Sequence, residues 1–327
     1  MAGAILLLTL ILTCNVLDLF CVRAQRFPSH ISDQTFWKNL APDMHIYDAT
    51  FSNSIKFVNM NNSTGSYFQD LMKREGYIQI DPIAFSTPLE KMVQTIETLH
   101  DLQLPLAFSY VYDEFWLIFV SLHNVIASMV GPGYLRLPDF WTWRIDPMKE
   151  ERGWGLHRDK NGRTIGDDGL PDSLTVWIPL TDATTLNGCM YILPADRDPS
   201  YETVDTGPTE DTVPQSPLIG LIDEFRALPI NAGGVLMWNQ QVYHYGSHAT
   251  RRADAPRYSL AMEFQSTDVP PMNLPVFDPL SLPSFEDRLR LISKQIIQYK
   301  HMYALDDETL EFAQSILQEE ARNEQEV

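Results

Sequence analysis

Between Tyr67 and Glu75 the apolar side chains Phe68, Leu71 and Met72 fall on one helical face, and the run stops at Gly76. Glycine just past the last periodic residue is a helix stop. Tyr77-Ile78-Gln79-Ile80 then alternates with a period of two, which predicts a short strand. Thr87 is placed to cap a second helix with Pro88 at its first position, where the missing N–H costs nothing. Its stripe is Leu89, Met92, Val93, Ile96 and Leu99. A third helix is predicted from Asp113 to Val130, with Phe115, Phe119, Leu122, Ile126 and Met129 at helical spacing and Gly131-Pro132-Gly133 ending it. These stripes read as core.

From Tyr134 the period shortens. Phe140–Ile145, Ser173–Leu180, Cys189–Leu193, Val235–Trp238 and Arg257–Phe264 read as short strands. Asn187-Gly188 is a hairpin-turn dipeptide leading into Cys189, and Gly233-Gly234 opens the strand that starts at Val235. Short strands at regular spacing suggest a sandwich or barrel. Phe285–Tyr303 and Asp307–Ala321 return to the helical period. The fold class is therefore mainly β with helical additions on both sides of the β region. Asp196 to Phe225 is long, acidic and proline-rich, with the length and position of a lid or binding loop.

The first residues stand apart. Ala4 to Val22 is apolar apart from Asn15 and Asp18. It reads as a signal peptide cleaved near Val22-Arg23-Ala24, as a single membrane anchor, or as an ordinary helix. Arg23 and Arg26 follow the run and no basic residue precedes it, which favours a cytoplasmic catalytic part. The overlapping sequons of Asn61-Asn62-Ser63-Thr64 point instead to the secretory pathway. Membrane association through residues 4–22 and either sidedness stay open; without a targeting role for this segment the chain is cytoplasmic.

Composition adds exclusions. The 327 residues are 44% apolar, enough for one large domain with additions, and carry a net charge of -19. Such a surface repels nucleic acid and anionic lipid, and no basic run offsets it. Cys14 and Cys21 lie in the apolar N-terminal run, which leaves Cys189 alone in the rest of the chain. A disulfide framework or a cysteine-type zinc site is thereby excluded there, and Cys189 reads as a small buried hydrophobe.

The chemistry concentrates in Gly153-Trp154-Gly155-Leu156-His157-Arg158-Asp159. On an extended strand, residues two apart share a face, so His157 and Asp159 can both reach one ion. An imidazole and a carboxylate from one strand, completed by a distant histidine, make the two-histidine, one-carboxylate facial set of non-haem iron(II), with three positions open. His244 or His248, both in the stretch WNQQVYHYGSH, supplies the third ligand; His244 does so if it follows the Val235–Trp238 strand. Arg257 and Ser259 are again two apart on a strand. A guanidinium beside a hydroxyl suits a dicarboxylate tail, because arginine offers a planar two-pronged donor. His30, His45, His100, His123 and His301 fall outside these motifs.

From Trp143 to Gln265 the chain resembles the phytanoyl-CoA dioxygenase family. The segments that carry the resemblance are GWGLHRD, LTVWIPLTDATTLNGCMYILPADRD, AGGVLMWNQQVYHYGS and RYSLAMEFQ, with EGYIQI resembling the family's N-terminal part. The resemblance implies a double-stranded β-helix of the jelly-roll or cupin kind. It implies an iron(II)- and 2-oxoglutarate-dependent dioxygenase that uses O2, hydroxylates a small-molecule or acyl substrate and releases succinate and CO2. His157, Asp159 and His244 would be the catalytic iron ligands, and Arg257 with Ser259 would bind the 2-oxoglutarate C5 carboxylate. Related halogenases have Gly or Ala in place of the carboxylate ligand, so Asp159 favours oxygenation. The implied organisation is an apolar segment over 1–24, an extension over 25–65, the oxygenase domain over 66–268 and a helical extension over 269–327.

The chain departs from the family at Pro194-Ala195-Asp196-Arg197, where Pro-Gly-Ser-His is common, and at Gly234, where an acidic residue is usual. Trp141, Trp143 and Arg144 are pocket candidates, and Arg144, Arg251 and Arg252 are alternatives to Arg257 as the carboxylate anchor. The competing reading is a non-catalytic cupin-like protein that binds a metal or ligand. Complete triad and arginine together weigh against it.

Overall fold

The computed structural model describes residues 30–160, 162–203, 220–302 and 305–325. The apolar segment at 4–22, Cys14, Cys21 and residues 204–219 of the long acidic segment lie outside the described residues. Among those described, no helix is long and apolar enough to cross a membrane. The described residues fall into two compact units, one within 43–283 and one joining 30–42 to those described after 283.

In the smaller unit, α1 (Gln34–Leu40) buries Trp37, whose indole N–H donates to the Ile31 carbonyl at 2.8 Å. The tail helix expected over Phe285–Tyr303 is α-helical as α7 (Phe285–Gln298), capped by Ser284 on the Asp287 N–H. The last helix, α8, runs from Asp307 to Gln325. α7 and α8 pack on each other.

The larger unit begins with helices α2 (Ala49–Ser54), α3 (Asn62–Glu75), α4 (Leu89–Asp101), α5 (Glu114–Val120) and α6 (His123–Val130). α3 starts one turn earlier than its apolar stripe because the Asn61 side chain caps the Thr64 N–H. Thr87 does not cap α4: Pro88 takes the cap position, no side chain bonds the first turn, and Thr87 is buried. The single helix expected over Asp113–Val130 is two. Ser121 turns its hydroxyl back to the Ile118 carbonyl, a competing bond of the kind that interrupts helices, and its own carbonyl accepts from the Val58 N–H.

Among the described residues the strands are β1 (Tyr77–Ile80), β2 (Leu135–Ile145), β3 (Ser173–Pro179), β4 (Met190–Ile192), β5 (Arg226–Leu228), β6 (Val235–Asn239), β7 (His244–Gly246) and β8 (Arg257–Gln265), of which the short β5 and β7 are not predicted by the alternation. They form a five-stranded antiparallel sheet in the order β1-β6-β3-β8-β2 and a three-stranded sheet in the order β5-β4-β7. Chain neighbours β3 and β4 lie in different sheets. Asn187-Gly188 is accordingly not a hairpin between paired strands. It turns the chain across from one sheet to the other, with Asn187 Oδ1 accepting from the Thr184 N–H at 2.7 Å. This alternation between sheets is the double-stranded β-helix. β2 is longer than the aromatic run suggested, because a bulge between Arg136 and Phe140 re-registers it on β8.

Asp113 ties the helices to the chain before them. Its two carboxylate oxygens accept from the Tyr47 and Asp48 N–H groups at 2.7 and 2.8 Å, and its side chain is fully buried. Asp113→Ala strands both donors. It is expected to cost about 2–4 kcal/mol in chemical denaturation, with Asp113→Asn, which can accept only one of the two bonds, costing less. Equal stability of Asp113→Ala and wild type would show that water replaces both bonds.

Candidate metal centre

The segment 152–159 is not the regular strand its alternation suggested. It meets β7 and its continuation through two bridges, Arg152 with His248 and His157 with His244. His157 and His244 exchange both backbone hydrogen bonds, at 3.1 and 3.0 Å, so they form a closely spaced antiparallel pair. Such a pair sets two side chains side by side on one face, and the imidazole centroids are 4.3 Å apart. Chain backbones approach unusually closely here. A Cβ added to Gly246 would lie 2.7 Å from the Gly153 Cα, and one on Gly153 would lie 2.9 Å from the Gly246 Cα. Only glycine at both positions allows this seating.

The residues two apart do share a side. Asp159 Oδ1 lies 3.3 Å from Nε2 of both His157 and His244. Each histidine turns Nδ1 to a backbone carbonyl two residues earlier, His157 to Gly155 at 2.7 Å and His244 to Val242 at 3.1 Å. Those carbonyls are acceptors, so Nδ1 carries the proton and the Nε2 lone pairs face Asp159. Among the described residues this is the group of histidine, cysteine and acidic side chains that can hold a metal, its ligand atoms all within 4.8 Å of one another. Donors about 2.1 Å from a shared ion and at right angles lie roughly 3 Å apart. The observed spacing therefore suits three ligands on one face of an ion. Burial would raise the Asp159 pKa, but the two histidines, which can donate to it when protonated and free of metal, hold it well below the usual carboxylate range.

Arg158 points the opposite way. Its guanidinium donates to Asp198 at 2.6 Å and Ser200 at 2.9 Å and lies 4.0 Å over the Tyr243 ring. Pro194-Ala195-Asp196-Arg197 thus leads into a buried carboxylate that grips the chain, through Arg158, between His157 and Asp159. On the next residue, Lys160 Nζ reaches inward to Glu263 at 2.6 Å.

The three side chains line a small cavity of about 40 Å³. Strand register builds its walls. Trp141 and Trp143 on β2 stand opposite Ala261 and Ser259 on β8, and Trp177 on β3 stands opposite Ala261. Trp154 meets Trp141 and Trp143 edge-on at 5.3 and 5.6 Å. Arg257 also lines the cavity, 1% exposed, with Nη1 donating to Ser259 Oγ at 2.5 Å and its charge 5.3 Å from the Trp177 centroid. Among the described residues no carboxylate pairs with it, and its Nε has no partner. Burial pulls its pKa down to about 10, which still leaves it charged at neutral pH. A buried, unneutralised guanidinium calls for an anionic ligand.

The other sequence candidates fall elsewhere. His248 is exposed on the outer side of the 152–157 pairing. Arg144 faces away from the cavity and binds Glu97 of α4 at 2.7 Å and Asp146 at 3.2 Å. Arg251 and Arg252 sit in an exposed turn. Cys189 is buried, and burial pushes its thiol up to about 11, which removes it as a nucleophile. His45 is paired with Glu114 and His123 with Tyr134. Thr175 and Trp238 were not singled out from the sequence, yet both bond Asp159, at 2.7 and 2.8 Å. Their pairing across β3 and β6 depends on register, which no local pattern displays.

Gly246→Ala is expected to push the 152–157 segment off β7 while the five-stranded sheet persists. Metal affinity, measured by chelator competition, should fall at least about tenfold with little change in circular dichroism. Wild-type affinity would show that the glycine contact does not set the histidine spacing.

Residues 123–257 match the family model described as phytanoyl-CoA dioxygenase. No curated protein matches the sequence. Among solved structures, the non-heme monooxygenase ThoJ in its nickel complex is similar at 15% identity and a TM-score of 0.50, covering 72% of this chain and 97% of that one. HygX from Streptomyces hygroscopicus, with nickel and 2-oxoglutarate bound, gives 14% identity and a TM-score of 0.47 over 64% of this chain and 88% of that one. At 15% identity the likeness to ThoJ is one of fold, and it agrees with the two-sheet core. The family match is confined to residues 123–257, and with the fold it makes that region similar to the phytanoyl-CoA dioxygenase family.

Proposed function

We propose that His157, Asp159 and His244 hold iron(II), that Arg257 with Ser259 holds the far carboxylate of 2-oxoglutarate, and that the enzyme hydroxylates an unactivated C–H bond of a small molecule. The observation that carries this reading is the pairing, in one cavity, of a facial donor set with a buried guanidinium that has no anion of its own. Donor chemistry fits iron(II): two neutral imidazoles and one carboxylate leave one net positive charge and three positions for co-substrate and oxygen. Bound iron with 2-oxoglutarate would supply the oxidising power, with succinate and CO2 as co-products.

The chain's own residues do the rest. The backbone carbonyls of Gly155 and Val242 fix the imidazole tautomers. Ser259 steadies one nitrogen of Arg257, so the guanidinium presents its remaining donors to a carboxylate in a fixed plane. Trp141, Trp143, Trp154 and Met190 supply an apolar wall that excludes water and favours an uncharged, hydrocarbon-bearing group. Asp159 fills the position that a halide would need, which favours return of hydroxyl to the substrate.

His157→Ala, Asp159→Ala and His244→Ala should each abolish iron binding and succinate formation with the fold intact, whereas His248→Ala should retain both. Iron loss in His248→Ala but not in His244→Ala would reverse the assignment. Arg257→Leu should keep iron but weaken 2-oxoglutarate by roughly ten- to a hundredfold, the equivalent of about 1.5–3 kcal/mol for hydrogen bonds to a charged group. With labelled dioxygen, one label should enter product and one succinate. Mass spectrometry that finds halogenated product, or product without label, would refute hydroxylation while leaving the ligand set standing.

A further inference from the structure

Asp159 spends its two oxygens differently. Oδ1 faces both histidine Nε2 atoms, while Oδ2 accepts from Thr175 Oγ1 at 2.7 Å and from Trp238 Nε1 at 2.8 Å. Thr175 and Trp238 are register partners on β3 and β6, so the two donors are fixed to each other by the sheet. Gln240, fully buried, bonds Thr175 Oγ1 at 3.1 Å. An ionised carboxylate can only accept, so the threonine proton is committed to Asp159 and the glutamine amide must donate to the hydroxyl. The hydroxyl can then not rotate away. Trp238 is 2% exposed and Thr175 3% exposed, so water does not compete for Oδ2.

We infer that Thr175 and Trp238 are positioning residues that keep Asp159 a one-oxygen ligand and thereby preserve the site's capacity for 2-oxoglutarate. This rests on the proposed ligand set. A carboxylate can bind a metal through one oxygen or two. The facial set leaves three positions, of which 2-oxoglutarate takes two and oxygen one. If Oδ2 were free it could swing onto the ion, and one of those three positions would be lost. Two neutral donors on Oδ2 oppose that swing and leave the negative charge of Asp159 in place. The indole does this without adding a titratable group beside the metal, and its ring packs 4.8 Å from that of His244.

Cobalt(II), added to the full-length protein without oxygen, reports both affinity and coordination through its visible absorption. Thr175→Val keeps the shape and removes the hydroxyl; Trp238→Phe keeps an aromatic ring and removes the N–H. Each should weaken cobalt by about tenfold in chelator competition, the usual scale for losing a bond to a metal ligand. Each should also change the cobalt spectrum at saturation, and raise the 2-oxoglutarate concentration needed to shift that spectrum although Arg257 is intact. Thr175→Ser should restore wild-type behaviour, and it remains informative should Trp238→Phe fail to fold. A wild-type spectrum and 2-oxoglutarate affinity in both Thr175→Val and Trp238→Phe would overturn the inference. So would weaker cobalt binding with an unchanged spectrum, which would mean only general loosening. Equal cobalt affinity in wild type and Asp159→Ala would instead bring down the ligand set itself, and this inference with it.

Discussion

The paired backbone hydrogen bonds between His157 and His244 are the constraint on which the site depends. They join a segment that leaves β2 to a short strand almost ninety positions later in the chain, and they place two imidazoles on one face. Nothing about either histidine alone would do so. Gly153 and Gly246 make the pairing possible by letting two backbones touch, and Arg158, held behind by Asp198, keeps the segment from drifting outward. The candidate metal site is thus a by-product of how closely one irregular segment can lie on the three-stranded sheet.

Charge is distributed in the cavity with the same economy. The chain carries a net charge of -19, yet the cavity that Asp159 lines also holds a buried guanidinium with no carboxylate beside it among the described residues. Burying an unpaired cation costs free energy that an ordinary structural arginine would recover through an ion pair. Arg144 and Arg158 do recover it, through Glu97 and Asp146 in one case and Asp198 in the other. Arg257 does not, and that contrast separates a residue shaped for a ligand from residues that hold the fold. The tryptophans around it lower the local polarity and strengthen its attraction for any anion.

The departures from the family pattern acquire a structural sense. Where the chain reads Pro194-Ala195-Asp196-Arg197, it continues into Asp198, which receives Arg158 and orders the start of the following segment through Ser200. Gly234 lies where a Cβ would come within 2.4 Å of Ile230, so the acidic side chain usual at this position has no room unless Ile230 moves. Both changes lie outside the donor set.

The sequence by itself determined the helical and strand periods, the mainly β class and the candidate site residues that local spacing reveals. His157 and Asp159 are two apart, as are Arg257 and Ser259, and a period of two is enough to put each pair on one side. Where the periods misled, the cause was a competing local bond or a longer-range one: Ser121 split the expected helix of Asp113–Val130, and Asn187-Gly188 crossed between sheets instead of closing a hairpin. The tertiary structure alone decided which histidine closes the group, which arginine faces the cavity, and that Thr175 and Trp238 meet on Asp159. His244 and His248 are four apart, and sequence leaves both available; the register of β7 turns one inward and exposes the other. Those choices depend on pairing between strands far apart in the chain, and pairing is set by packing over the whole core, which no window of sequence contains.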